Sequence, residues 1–294
     1  MAKGGKEIRR RIRSVTSTQQ ITKAMKMVAA ARLRKGEGRT QASQPYTDTL
    51  TDVMRRLGGV AGEADHPYLA HIAADVPKVL VLLMTSDKGL CGTFNAHLLN
   101  KTEKFISEER AKGREVSFIC AGKKGTVWAQ STGQDIVAKY PAFSDKTSYA
   151  DLTAVTNELT RAYLAREYSE VYLVYARYVN VVKNIPTALR LLPIESLPED
   201  EETGDGYRQD YMLEPSPEEL LASLLPSYFR TVLFQAAIEN FTSENGARMV
   251  AMENATSAAA DMIEDLTLQY NKARQAGITL ELLDIVGGAE ALEG

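Results

Sequence analysis

From Ser227 to Asp284 the chain holds no proline and only two glycines, Gly246 and Gly277, and one apolar register runs through this stretch. Met249, Met252, Thr256, Ala259, Ile263, Leu266, Tyr270, Ala273, Gly277 and Leu280 alternate spacings of three and four. That is the seam of a two-helix coiled coil. At a rise of ~1.5 Å per residue the helix spans ~85 Å. A lone helix so long, with so narrow an apolar stripe, is barely stable in water and needs a companion of similar length. Several seam residues are small, so the companion can approach closely. Charged Glu253, Asp261, Glu264, Asp265, Lys272 and Arg274 lie off the seam.

The candidate companion is the other end of the chain. Lys3 to Gly58 holds one proline, Pro45, and is rich in Ala, Arg, Lys, Gln and Met, which favour helix. Ile8, Ile12 and Val15 lie at helical spacing; Ile21, Met25 and Val28 form a second set that does not share one strict heptad with the first. Forty to fifty helical residues make a rod of ~60–75 Å, which Pro45 is expected to bend or end. Head and tail are therefore expected to pair as a long antiparallel coiled coil.

The middle reads differently. Lys78 to Met84 is a continuous apolar run, as in a strand buried on both faces. Gly89-Leu90-Cys91-Gly92 then turns, and a helix follows from Thr93 to about Lys112 with Phe94, Leu98 and Phe105 inward, stopped by Gly113. Val116–Ala121 and Ile136–Tyr140 read as short strands. Ser148 and Asp151 make a capping box for a helix with Leu152, Val155, Leu159 and Tyr163 on one face. Val171 to Val182 and Ile185 to Ile194 read as two long strands, the last at an edge because of Pro186. Alternating strands and helices give a Rossmann-like α/β layer. From Glu195 to Glu219 there are ten acidic residues and one basic, a solvated loop. Pro226 is expected to interrupt or kink the helix that follows. The expected divisions are a coiled-coil helix over 1–58, an α/β globular domain over 76–213 with the acidic loop 195–219, a second coiled-coil helix over 214–288, and a tail over 289–294.

The net charge of −3 conceals an asymmetry. Residues 1–40 carry twelve Lys/Arg against two Glu; the remainder carries 23 basic against 36 acidic side chains. A positive end on an acidic body seeks an anionic partner. Nucleic acid is one such partner, but no aromatic residue precedes Tyr46, so nothing there would stack on bases. Two cysteines, Cys91 and Cys120, exclude a disulfide-stapled module. No apolar run nears the ~18 residues of a membrane span, and the first residues lack a signal peptide's apolar core. A reducing, cytosol-like compartment is expected. The turn at Gly89–Gly92 sits where backbone N–H groups bind anions, and Cys91 there is a candidate nucleophile. Yet neither phosphate-loop nor dinucleotide spacing occurs in the chain, which favours a structural turn. His66, His71 and His97 are too few and too scattered for a metal site; the first two read as solvent-exposed in a loop.

Three stretches carry a resemblance. Ile8-Arg9-Arg10-Arg11-Ile12-Arg13-Ser14-Val15 with Thr18 to Ala30, Thr85-Ser86-Asp87-Lys88-Gly89-Leu90-Cys91-Gly92, and Ser243-Glu244-Asn245-Gly246-Ala247-Arg248-Met249-Val250-Ala251-Met252-Glu253-Asn254-Ala255-Thr256 resemble the gamma subunit of bacterial-type F-type ATP synthase. Asn271 to Gln275 and Ile285 to Ala289 resemble its last turns. The chain departs from the family at Ser257-Ala258-Ala259-Ala260 and at Leu280 before Glu281, and its acidic loop lacks the cysteine pair of plant-type members.

The resemblance implies the central rotor shaft of a proton-translocating ATP synthase. In that reading the shaft turns inside a ring of three alpha and three beta subunits, beside an epsilon subunit and on a membrane c-ring. It has no active site and no cofactor of its own. It is peripheral to the cell inner membrane, on the cytoplasmic side, and binds no nucleic acid. It further implies that Arg9, Arg10, Lys23, Met25, Lys26, Arg32, Arg34 and Lys35 face the ring. Arg274, Gln275, Thr279 and Glu281 would lie just below an apolar sleeve holding Leu282, Leu283, Ile285 and Val286. Ile8, Ile12, Met249, Met252, Ala259, Ile263, Leu266, Tyr270 and Ala273 form the coiled-coil seam in this reading. Charge reversal at Lys23 and Lys26 is expected to weaken coupling. The competing reading is a free-standing basic coiled-coil scaffold for nucleic acid.

Overall fold

The computed structural model describes residues 3–61, 66–69, 75–194 and 217–293. The elements are α1 (Lys3–Ala61), β1 (Lys78–Met84), α2 (Phe94–Ala111), β2 (Glu115–Ala121), α3 (Lys123–Ser131), β3 (Asp135–Tyr140), α4 (Thr153–Leu164), β4 (Glu170–Tyr178), β5 (Asn184–Leu192) and α5 (Pro217–Glu293). They divide into two compact units. One comprises residues 1–30 with 248–294; the other comprises residues 31–247.

The larger unit is built on a five-stranded sheet of order β3-β2-β1-β4-β5. The first four strands are parallel, and β5 returns antiparallel to β4 at the edge. Every residue of β1 after Lys78 is buried, because the central strand has a core on each face. Strand alternation divides its side chains between the two cores. Leu80, Leu82 and Met84 meet Leu152, then Val155, Leu159 and Tyr163 of α4, and Phe229, Leu233, Ala236 and Ala237 of α5. Val79, Val81 and Leu83 meet Phe94, Leu98, Phe105 and Ile106 of α2. Gly113, at φ +76°, follows α2 in the left-handed region that glycine tolerates best.

Several expectations need correction. β4 ends at Tyr178, not Val182, because Val179 and Asn180 donate their N–H groups to Lys183 O in a hairpin turn. α3 has no counterpart in the sequence reading. The Ser148–Asp151 box forms reciprocally, with Ser148 N–H donating to Asp151 Oδ2 at 2.7 Å and Asp151 N–H to Ser148 Oγ at 3.3 Å. It closes a turn upstream of α4, whose N-cap position is Leu152. Neither Pro45 nor Pro226 ends its helix. α1 continues to Ala61, and α5 to Glu293 through the expected tail. His66 is half-buried, and its Nδ1 accepts the Tyr68 N–H at 3.2 Å. His71 and most of the acidic stretch, 195–216, lie outside the described residues.

Candidate partner-contact surface

In the smaller unit the two helices touch through pairs whose numbers run in opposite directions. Arg9 Nη2 donates to Tyr270 Oη at 3.1 Å, with the guanidinium 5.4 Å from the ring centroid. Thr22 donates to Gln19 O and accepts from Thr256 Oγ1 at 2.8 Å. Lys26 Nζ pairs with the carboxylate of Glu253. From Arg9 to Lys26 the index rises by seventeen while its partner falls by seventeen, from Tyr270 to Glu253. The pairing is antiparallel.

Along α5, Met252, Ala259 and Leu266 are buried, and Met249, Thr256, Ile263, Tyr270, Ala273 and Gly277 are half-buried. Leu280 is the exception, at 60% exposed. On α1 the facing stripe is Gly5, Ile8, Ile12, Val15, Gln19, Thr22, Lys26 and Ala29, each buried or half-buried. This corrects the second apolar set proposed from sequence: Ile21 and Val28 are 57% and 55% exposed. The spacing of three and four is unbroken, but its members are partly polar, so a search for apolar residues alone misses it. Glycine at position 5 lets the Tyr270 ring lie close: a Cβ there would sit 4.0 Å from it.

The basic residues fall into two sets. Arg9 and Lys26 are engaged with α5, as above. In the larger unit, Lys35 Nζ pairs with Asp145 Oδ2 at 2.8 Å and holds that carboxyl below its ordinary range. Arg10, Lys23, Arg32 and Arg34 are exposed, and Met25 is half-buried. Toward the end of α5, Ile278, Leu280, Leu282, Leu283, Ile285 and Val286 are all at least half exposed. Arg274, Gln275, Thr279 and Glu281 are exposed as well, and Thr279 Oγ1 donates to Gln275 O at 3.0 Å. A run of large apolar side chains outside any core is characteristic of an interaction surface.

The turn after β1 closes on the chain itself. Asp87 Oδ1 accepts the Lys123 N–H at 2.9 Å and the Ala142 N–H at 3.3 Å. Thr85 Oγ1 accepts the Gly125 N–H at 2.8 Å, and Ser86 O accepts the Lys124 N–H at 3.1 Å. The Lys123, Lys124 and Gly125 amides are first-turn donors of α3, where an anion would otherwise sit. Gly122, at φ +111°, permits the approach: a Cβ would lie 2.2 Å from Thr85 O. Cys91 is buried and its Sγ accepts from Asn95 Nδ2 at 3.2 Å. Burial pushes the Cys120 thiol up to about 11, despite Lys139 nearby. Among the described residues no cluster of His, Cys, Asp and Glu is arranged to hold a metal ion.

Fold and surface define a class: a chain whose middle forms an α/β layer and whose two ends form an antiparallel helix pair with basic and apolar groups turned outward. The family model described as ATP synthase matches residues 4–292. The chain is 42% identical to the ATP synthase gamma chain of Maridesulfovibrio salexigens, over 98% of this chain and 99% of that one. It is 40% identical to the gamma chain of Symbiobacterium thermophilum over the full length of both. Among solved structures, it is similar to a chain of the Euglena gracilis mitochondrial ATP synthase OSCP/F1/c-ring in rotational state 3, with TM-score 0.69, 20% identity and coverage of 98% and 94%. A chain of the rotor of the same enzyme matches at TM-score 0.64 and 19% identity, covering 94% of this chain and 99% of that one. The chain belongs to the ATP synthase gamma-chain family.

Proposed function

We propose that this chain is the central rotor shaft of a proton-translocating F-type ATP synthase. It makes and breaks no bonds. It couples rotation of a membrane c-ring to conformational change at catalytic sites on a surrounding ring of three alpha and three beta subunits, beside an epsilon subunit. It sits peripherally on the cytoplasmic side of the cell inner membrane. No helix among the described residues is long and apolar enough to cross a membrane, in keeping with attachment through other subunits.

The observation that carries this reading is the antiparallel helix pair and the exposed basic and apolar groups along α1 and α5. A shaft shifts the equilibria of its neighbours only through contacts that differ from one orientation to the next. Taking one site from 1:99 to 99:1 needs ~5.5 kcal/mol of differential interaction. Exposed Arg10, Lys23, Arg32 and Arg34, with Met25, are suited to acidic and apolar loops of the ring. Leu282, Leu283, Ile285 and Val286 are suited to an apolar sleeve, with Arg274, Gln275, Thr279 and Glu281 below it. Lys26 and Lys35 are less exclusive in this role, since both are already paired within the chain. No observation favours the nucleic-acid scaffold.

The test is charge reversal at Arg10 and Lys23 in the assembled enzyme. Lys23 is a cleaner probe than Lys26, whose reversal also breaks the contact with Glu253. ATP-driven proton pumping should fall relative to ATP hydrolysis, as the contacts that distinguish orientations are lost. Unchanged pumping per ATP would count against these residues as ring contacts.

A further inference from the structure

Open α/β sheets bind ligands at the carboxyl ends of the strands, where the strand order reverses. Here the reversal lies between β1 and β4. Their ladder runs from Val79 opposite Glu170 to Leu83 opposite Val174, and β1 ends at Met84. Two residues beyond Val174, Ala176 again turns its backbone toward the β1 side, where no strand remains. On its other side Ala176 stands opposite Pro186 of β5.

α5 fills the gap. Ala176 N–H donates to Asn240 Oδ1 at 3.0 Å, and Ser243 Oγ donates to Ala176 O at 3.1 Å. Asn240 and Ser243 lie three residues apart, on one helix face. Both are buried, as is Ala176. Two side chains of a helix thus continue the ladder for one more rung, in the crevice where a ligand would otherwise settle. The neighbouring contacts are close. A Cβ at Gly36 of α1 would lie 2.4 Å from Thr242 Oγ1, and one at Gly246 would lie 3.2 Å from Val181 O in the β4–β5 turn.

The rest of α5's contact with the sheet is largely apolar, through Phe229, Leu233, Ala236 and Ala237, with one further polar contact where the Glu239 carboxylate accepts from the Tyr178 backbone near Arg177. Apolar burial is non-directional and by itself resists sliding or rolling of a helix only weakly. Hydrogen bonds weaken steeply when bent or stretched. The rung at Ala176 therefore fixes the rotation and axial position of α5 on the sheet in a way that the apolar face does not.

We propose that Asn240 and Ser243 are positioning residues of the rotor: their rung on Ala176 fastens α5 to the sheet, so that torque entering the α/β unit passes into the helix without slip. This rests on the shaft reading above. A purely structural role predicts less assembled enzyme but the same yield of work per turnover. A fastening role predicts that assembled enzyme still hydrolyses ATP but wastes it.

The experiment uses inverted membrane vesicles carrying the whole complex, with Asn240→Leu, Ser243→Ala and the double variant. Hydrolysis and ATP-driven proton pumping are measured together and normalised to assembled complex. Hydrolysis should stay within about twofold of the parent, while protons pumped per ATP fall roughly threefold in the double variant and by a smaller factor in each single one. In Asn240→Leu, which removes the acceptor of the Ala176 amide, hydrogen exchange at that amide should quicken by about fivefold. An unchanged pumping ratio in all three variants overturns the proposal. If the double variant does not assemble, Ser243→Ala decides alone, and an unchanged ratio there overturns it too. If the parent chain does not copurify with alpha and beta subunits, the shaft reading fails; that outcome is separate from any change in the ratio or in exchange at Ala176.

Discussion

The α/β unit and the helix pair differ in what the fold leaves over. In the α/β unit the fold uses the side chains of the central strand completely: Val79 through Met84 are fully buried, and their neighbours on two faces complete two cores. Several charged groups there are engaged as well. Glu109 is buried with Lys112 Nζ at 2.8 Å and Arg114 beside it, and Glu170 accepts from Arg114 Nη1 at 2.7 Å and Tyr172 Oη at 2.9 Å. In the helix pair only one stripe per helix is covered, and much of that stripe is small or polar. The remaining faces carry exposed cations, Arg10 and Lys23 among them, and exposed large apolar groups such as Leu282, Leu283, Ile285 and Val286. A region that spends its side chains on itself supports; a region that does not is available to partners.

The sharpest way to break this contrast is Gly122→Val. The positive φ and the 2.2 Å clearance to Thr85 O leave no room for a side chain. The cost should exceed ~4 kcal/mol, seen as loss of the α/β unit's cooperative unfolding transition. Next comes Leu266→Ala in the covered stripe. It should cost ~2–3 kcal/mol, confined to the helix pair. Hydrogen exchange should quicken over residues 3–30 and 248–277 while the sheet amides hold. Spread of the effect into the sheet would erase the distinction between the two units.

A pH titration separates two carboxyls within the α/β unit, half-buried Glu239 and buried Glu170. Burial pushes the Glu239 carboxyl above its ordinary range, against the opposing hydrogen bond from Gln235. The stability it contributes is full below the unfolded carboxylate range and is lost as pH rises through the folded value. Burial also works against charged Glu170, but the Tyr172 hydroxyl and Arg114 outweigh it and hold that carboxyl low. Its contribution is present above the unfolded value and is lost as pH falls through the folded one. Glu239→Gln should therefore raise the melting temperature at neutral pH and flatten its decline as pH rises above the ordinary carboxylate range. Glu170→Gln should lower it at neutral pH, with the deficit shrinking toward pH 3. The smallest effect belongs to the helix pair: a double-mutant cycle on Lys26 and Glu253, 40% and 50% exposed, should give below ~0.5 kcal/mol at moderate salt.

Much of this architecture was legible from sequence where burial demands apolar residues. The run Lys78–Met84 coincides with β1, and Pro186 marked β5 as an edge. The α5 register from Met249 to Gly277 was readable because its spacing alternates strictly. The α1 register was not, since Gln19, Thr22 and Lys26 occupy positions where apolar residues are sought, and apolar Ile21 and Val28 face outward. α3 was missed because its helix start is set from a distance: Thr85, Ser86 and Asp87 cap it across the sheet. The rung of Asn240 and Ser243 on Ala176 left no mark at all, as no local pattern reports which buried amide a helix must serve. The split of the basic residues into engaged and exposed sets likewise depends on partners far away in the chain, Tyr270, Glu253 and Asp145.

The measurement closest to the central claim is a reversible lock between the two ends. Thr22→Cys with Thr256→Cys replaces hydroxyls 2.8 Å apart, with the parent's Cys91 and Cys120 buried. In the assembled enzyme, oxidation should join the pair in high yield, and ATP hydrolysis should continue at the reduced enzyme's rate, because the helices turn as one body. Failure to cross-link, or activity lost on oxidation and restored by reductant, would contradict a shaft made of two helices that keep their register.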